Sequence, residues 1–515
     1  MKGESMNKKT YLLVGLIILL ALPLLANNIS IDGTVTLTDQ STAGEQPTHY
    51  THIEFDISWD NSWRTSAAPN NWDAAWVFAK YKVTDKGSGS GTPDGEWRHC
   101  TLNSSGHTAP TSTPSSTIEA PSDGKGVFIY RSANGTGTNT WNNTKLRWNY
   151  GTNTVDGTNL IADDAKVDVK VFAIEMVYVP QANFELGDNS SDGSLGASDG
   201  NEGQVLTGSY TVSSSGSIEI GNDVASKLWG LSVSGNNTVG TAGTLSANYP
   251  NGYDSFYCMK YEISQGQYAD FLNTLTSTQD GNRSIQGETD YATYRGTISG
   301  SAGSRTASVP NRACNYLNWA DGAAYSDWAG LRPMTELEFE KACRGTESAV
   351  SGEYAWGNKT ITAAVNISET EDGTETITTT NANCCYNNQT FTGGDAGSGP
   401  LRCGIFATGS STTRQQSGAS YYGLMEMSGN LWERTVTLGN ATGREFTGTH
   451  GNGEIDDDGN ADAASWPGTT ASGTGIRGGH WGSLATQLPV SYRRFAAGGY
   501  ALRKNNYGFR SARTQ

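Results

Sequence analysis

The stretch Leu331-Arg-Pro-Met-Thr-Glu-Leu-Glu-Phe-Glu-Lys-Ala-Cys-Arg-Gly345 decides how the second half of this chain is read. Thr335 is a good helix N-cap, and Glu338, three residues on, can return the hydrogen bond, so the pair can form a capping box. Phe339, Ala342 and Cys343 fall on one face at i, i+3, i+4 spacing. Lys341 and Arg344 occupy the last turn, where cations suit the helix dipole, and Gly345 can end the helix. The pattern predicts a short, well-capped surface helix with one face on a core.

Outward from this helix, 515 residues allow two or three domains. Hydrophobic residues make up 36% and charged ones only 17%, with 64 Gly, 14 Trp and 23 Tyr, which suits a loop-rich, β-dominated extracellular protein. The net charge is −16 and no basic cluster occurs, so neither nucleic acid nor an anionic membrane surface is an expected partner. Lys8 and Lys9 precede an apolar run over residues 11–25, with Ala26 as the last residue before cleavage, so 1–26 reads as a signal peptide; Met6 is a second candidate start. An uncleaved anchor is the alternative, but the run is shorter than the ~20 residues a span needs. No Cys follows it, which removes lipoprotein processing, and no later stretch is apolar enough to span a bilayer. The expected location is secreted, periplasmic or cell envelope.

Residues 29–174 read as an all-β sandwich. Ile53, Phe55, Ile57 and Trp59 alternate with polar residues, residues 75–81 form a denser run, and 126–130, 145–150 and 166–172 follow. Gly/Ser/Thr-rich loops are expected at 87–95, 103–116 and 132–139. Trp59, Trp63, Trp72 and Trp76 either fill the core or line a groove, and the weight of aromatics in cores favours the first. His49 and His52 read as a solvated pair. Seven cysteines (100, 258, 314, 343, 384, 385 and 403) leave at least one thiol unpaired or intermolecular, and adjacent Cys384 and Cys385 are a weak metal signal.

The sequence around 331–345 resembles the R-L-P-T-E-A-E-W-E-x-A-x-R-G segment of the formylglycine-generating enzyme, or sulfatase-modifying factor, family, which is built on a C-type-lectin-like fold. Residues 175–187 resemble that family's Met-Val-x-Val-Pro-x-Gly opening, with Ala182 and Leu186 as departures. Residues 255–271, 310–330, 354–358, 422–433, 476–481 and 507–510 resemble its further motifs in order. Within them Ser264 caps a helix whose apolar face is Tyr268, Phe271, Leu272 and Leu275. The resemblance covers 175–515, with an insertion at 189–252 read as loops and a hairpin near 217–220. It implies an α+β architecture: the β-sandwich, then a C-type-lectin-like domain with few helices and many loops.

The catalytic members carry two copper(I)-binding cysteines between R-G-G-S and the closing G-F-R, and soft thiolates suit copper(I). Here residues 479–494 contain no Cys, and Ser483 stands near the expected first ligand. The resemblance therefore implies a non-catalytic member, with copper absent. The iron-dependent sulfoxide synthases of the same group carry His-x-x-x-His-x-Glu, which the six histidines here do not form. Structural Ca²⁺ is the cofactor the resemblance implies, at Gly429, Asn430, Leu431 and Glu433 and at Asn366 and Ile367, against hydrogen-bonded loops with no ion. Residues 454–459 read as a solvated acidic turn. Candidate ligand-binding residues are His480, Trp481, Ser483, Tyr492, Arg493, Asn505 and Tyr507. The expected partner is a protein or glycan. An oxidase acting on protein Cys through a different site, and a diversity-generating-retroelement variable binding protein, are the alternatives.

Overall fold

The computed structural model describes residues 28–515 apart from 190–191, 203–204, 231–240, 369 and 388–389; the expected signal peptide lies outside the described residues. The first part of the chain forms β1 (Ser30–Ser41), β2 (Tyr50–Arg64), β3 (Asp73–Asp85), β4 (Arg98–His99), β5 (Ser116–Glu119), β6 (Val127–Arg131), β7 (Gly135–Trp148) and β8 (Lys166–Val179). β1, β2 and β7 make one antiparallel sheet. β7 absorbs most of the loop expected at 132–139, because its Gly and Thr residues extend a strand along the far end of β2.

β8 runs antiparallel to β3 from Lys166 opposite Asp85 to Val177 opposite Asp73. On its other edge, residues 176–179 pair with the strand Phe256–Met259. Residue 174, where the sequence reading places the junction between domains, therefore lies mid-strand. The resulting eight-stranded sheet continues through Phe256–Met259 to Ser511–Arg513 and Arg332–Pro333 on one side, and through β3 to β6 and β5 on the other. The dense run in β3 is buried on both faces. Ala75, Val77, Ala79 and Tyr81 pack with Ile53, Phe55, Ile57 and Trp59 of β2, while Trp76 and Phe78 face the opposite way onto Tyr325 and Trp328. A strand covered on both faces loses the apolar–polar alternation. Trp59 and Trp76 are core residues, as expected, whereas Trp63 and Trp72 are only half-buried. His49 is buried rather than solvated, with Nδ1 2.8 Å from Asp163.

Of the six α-helices among the described residues, the first four, α1 (Gln265–Leu272), α2 (Ser277–Arg283), α3 (Trp319–Trp328) and α4 (Glu336–Arg344), are each opened by a capping box. In α4 the Thr335 and Glu338 pairing and the Gly345 stop form as the sequence predicts. The surface position does not: every residue of α4 is buried. Its charges are tolerated inside because each carboxylate has a guanidinium, Glu336 with Arg493 at 2.6 Å, Glu338 with Arg332 at 2.6 Å and Glu340 with Arg477 at 2.5 Å. In the insertion, Ile218–Ile220 pairs in parallel with Ala225–Gly230 and antiparallel with Gly243–Leu245 within a five-stranded sheet. The expected hairpin is absent there because the partner strand arrives from the far side of the insertion. The chain is mostly sheet with few helices, and no described helix is long and apolar enough to cross a membrane.

Candidate functional site

The site rests on a small sheet of Trp432–Val436, flanked by Thr474–Arg477 and Tyr507–Gly508. Trp432, Ile476, Tyr492 and Tyr507 form a buried cluster, against which Phe495 and Tyr500 pack half-exposed. Trp432 lies 5.7 Å from Phe495 edge-on, 6.3 Å from Tyr492 and 5.9 Å from the His480 ring. Tyr500 spans Phe495 and Tyr507 at 6.3 and 6.1 Å. The buried Arg434 fixes the loop above, donating to the carbonyls of Leu317, Tyr500 and Leu502 at 3.0, 2.7 and 3.3 Å. Burial depresses this guanidinium to about 10. The Leu502 side chain beyond it is 70% exposed.

His480 closes one side. Its Nδ1 accepts the Gly482 N–H at 2.9 Å, and its Nε2 stands 3.1 Å from the Asn506 amide nitrogen. Burial drives its pKa down to about 3, which keeps the ring neutral at physiological pH. What reaches solvent from this cluster is the half-exposed Phe495 and Tyr500, with the exposed Leu502 beside them.

Of the residues singled out in the sequence, His480, Tyr492 and Tyr507 converge on Trp432. Trp481 turns inward, 5.4 Å from Tyr294, and its indole N–H donates to the Asn505 carbonyl at 3.2 Å. Ser483 is buried and accepts the His480 N–H at 3.2 Å. Arg493 is fully buried on Glu336 and faces α4. Sequence reasoning missed Trp432, Phe495, Tyr500 and Asn506; the aromatic spacing from Tyr492 to Tyr500 was the available signal.

The stretch expected to carry copper ligands is packed with apolar side chains. Leu488 sits with Tyr354, Trp356 and Cys384, and Cys384 is buried with its thiol 3.0 Å from the Ser428 carbonyl. One buried thiol beside an engaged serine does not fit a two-thiolate copper(I) centre. All seven cysteines are buried and unpaired.

At the expected calcium positions some of the polar groups have internal partners. The Asn430 side chain accepts the Leu401 N–H at 2.8 Å and donates to Glu262 at 2.5 Å, and its carbonyl accepts the Trp481 N–H at 2.8 Å. The Leu431 N–H donates to Glu262 at 2.9 Å. Gly429 takes φ +93°, where a side chain would strike the Cys384 sulfur. Glu433 is paired with Arg510 at 2.7 Å. Asn366 is exposed, and Ile367 is tied to Thr392 at 2.9 Å. In the following loop Glu371 and Asp395 are held by Arg295 and Arg312. The other Glu433 oxygen, Oε2, is buried with no hydrogen-bond partner. In the acidic turn, Asp456 binds the backbone N–H groups of Asp458 and Asn460 at 3.0 and 2.7 Å.

The chain belongs to the sulfatase-modifying factor family: residues 216–515 match the model of the sulfatase-modifying factor enzyme 1-like domain. It is 29% identical over 131 residues to the formylglycine-generating enzyme of Thermomonospora curvata, covering 25% of this chain and 35% of that one. It is 28% identical over 130 residues to the Bos taurus formylglycine-generating enzyme, covering 21% and 34%. These matched regions span about a third of those relatives' length. Among solved structures it is similar to Treponema denticola variable protein 1, with a TM-score of 0.31 and 15% identity over 67% of this chain and 96% of that one. It is also similar to the Major Tropism Determinant U1 Variant, with a TM-score of 0.23 and 13% identity over 65% and 82%.

Proposed function

We propose that this protein is a binding member of the sulfatase-modifying factor family, exported to the cell envelope or beyond, that recognises a glycan or protein through the aromatic surface over Trp432. The observation that carries this reading is the packing of residues 479–494. Where the resemblance calls for copper-binding cysteines, this chain has an engaged Ser483 and a Leu488 buried against Tyr354 and Trp356. Lys8 and Lys9 ahead of the apolar run over residues 11–25 support export, and the half-exposed Phe495 and Tyr500 beside the exposed Leu502 support a ligand recognised in part by stacking. Its role is that of a receptor or scaffold, with the β1–β8 layers as an accessory part that shares the main sheet.

The test is a glycan and envelope-protein binding screen with the purified chain and a Phe495→Ala/Tyr500→Ala variant. The reading expects a hit that the double variant loses while its melting curve is retained. A hit unaffected by the double variant would move the binding face elsewhere.

A further inference from the structure

Three adjacent strands place a lysine and two carboxyl groups together in the interior. Lys260 directly follows the strand Phe256–Met259, Glu175 lies on β8 and Asp73 opens β3. The Lys260 N–H bonds to the Glu175 carbonyl at 2.9 Å, Glu175 stands opposite Ala75, and Asp73 stands opposite Val177. All three side chains therefore emerge on the same face. The Lys260 Nζ is 2.9 Å from Glu175 Oε2 and 3.4 Å from Asp73 Oδ2, and the three side chains are 4%, 1% and 0% exposed. The Trp63 and Tyr261 rings lie 5.0 and 5.3 Å from the amine. Nζ also lies 3.3 Å from the Asn61 carbonyl.

We propose that Lys260 and Asp73 join through an intramolecular isopeptide bond, with Glu175 as the proton carrier. Glu175 first takes a proton from the Lys260 ammonium, the Nζ lone pair so freed attacks Cγ of Asp73, the C–N bond forms and one Cγ–O bond breaks. The two protons that Nζ gives up pass through Glu175 to the departing oxygen, which leaves as water. An ammonium and a carboxylate thus become an amide and one water, with no oxidant, reductant or co-reactant. The surroundings supply what such a condensation needs. The Asp73 oxygens accept the Ser62 hydroxyl at 2.7 Å, the Trp63 N–H at 3.0 Å and the Trp59 indole N–H at 3.0 Å. Those donors are placed to stabilise the negative oxygen of a tetrahedral intermediate. Glu175 Oε1 is buried with no hydrogen-bond partner, leaving it open to take up a proton. Burial, partly countered by Lys260, holds the Glu175 carboxyl above its ordinary range. Fixed neighbours in a water-excluded interior raise the effective concentration of amine against carboxyl. The bond would brace β3 to the strand beyond β8, in a chain whose seven cysteines are all unpaired.

Mass spectrometry of the purified, denatured full chain tests this directly. The expected result is a tryptic species joining the Lys260 and Asp73 peptides, lighter than their sum by one water. Glu175→Gln and Lys260→Met are expected to return the two separate peptides at full mass, and Asp73→Asn to give a cross-link with loss of ammonia. Separate full-mass peptides from the wild-type chain would overturn the proposal and leave an ordinary buried ion pair. That readout needs no variant to fold, and it is independent of any ligand the aromatic surface binds.

Discussion

Glu426→Gln is expected to stabilise the protein at alkaline pH and leave it nearly unchanged in mild acid. Glu426 is buried beside Glu262 and Glu433; one of its oxygens accepts the Gly404 N–H at 2.8 Å and the other has no partner. Arg510 binds Glu433 and the carbonyls of Met259 and Met425, so it does not neutralise all three acids. Burial, with smaller opposing pulls from Arg510 and Arg402, raises Glu426 from 4.5 to about 7. A carboxyl whose folded pKa is raised favours folding most below its unfolded pKa, and this benefit is lost as pH climbs through the folded value. The window is therefore pH 4.5 to about 7. At 1.36 kcal/mol per unit, the penalty of ionised Glu426 above that window reaches about 3 kcal/mol, as an upper figure. Glutamine copies the neutral acid and removes it. Urea unfolding at pH 5 and pH 8 should give midpoints within error at the lower pH and a variant more stable by ~1–3 kcal/mol at the higher, with equal slopes. An equal shift at both pH values, or a loss at pH 8, would refute the reasoning.

Other expectations follow from the same interior. Trp76 of β3 is fully buried, donates to the Ala329 carbonyl at 2.8 Å and carries Arg513 over its ring at 4.3 Å. Trp76→Ala should cost about 3–5 kcal/mol in one cooperative urea transition that includes the family domain; a separate early transition would mean the N-terminal layers melt alone. Because the Asn430 side chain and one Glu433 oxygen have internal partners, a calcium chelator should shift the thermal midpoint by less than ~2 °C, and a large fall would show that an ion holds those loops. Leu502→Ser, at a 70% exposed position, should leave stability within about 0.5 kcal/mol while weakening ligand capture, and a stability loss beyond that would place the side chain in the core.

The sequence announces local structure well here and long-range pairing poorly. The α4 capping box is written in Thr335 and Glu338, three residues apart, and it forms. Its burial depends on Arg477 and Arg493, more than a hundred residues downstream, so no local pattern could reveal it. The run at 75–81 reads as a dense strand because both faces are covered, yet the layers that cover it come from distant segments. β8 reads as two pieces because its first half pairs only with β3, while its second half gains Phe256–Met259 on the other edge. At the site, His480 and Tyr507 are visible through their motifs. Phe495 and Tyr500 are not, because Phe495 packs on Trp432, which the chain brings in from another strand, and Tyr500 packs on Phe495. Arg493 was singled out by its place in the segment, but its partner Glu336 draws it inward.

The most direct test of the binding reading is copper(I) titration of the purified chain, run with an oxygen-dependent assay for conversion of cysteine in a sulfatase-type peptide. The packing of residues 479–494 predicts no stoichiometric copper and no turnover. Tight one-to-one copper with conversion of the peptide cysteine would contradict it and point to thiolate ligands elsewhere in the chain.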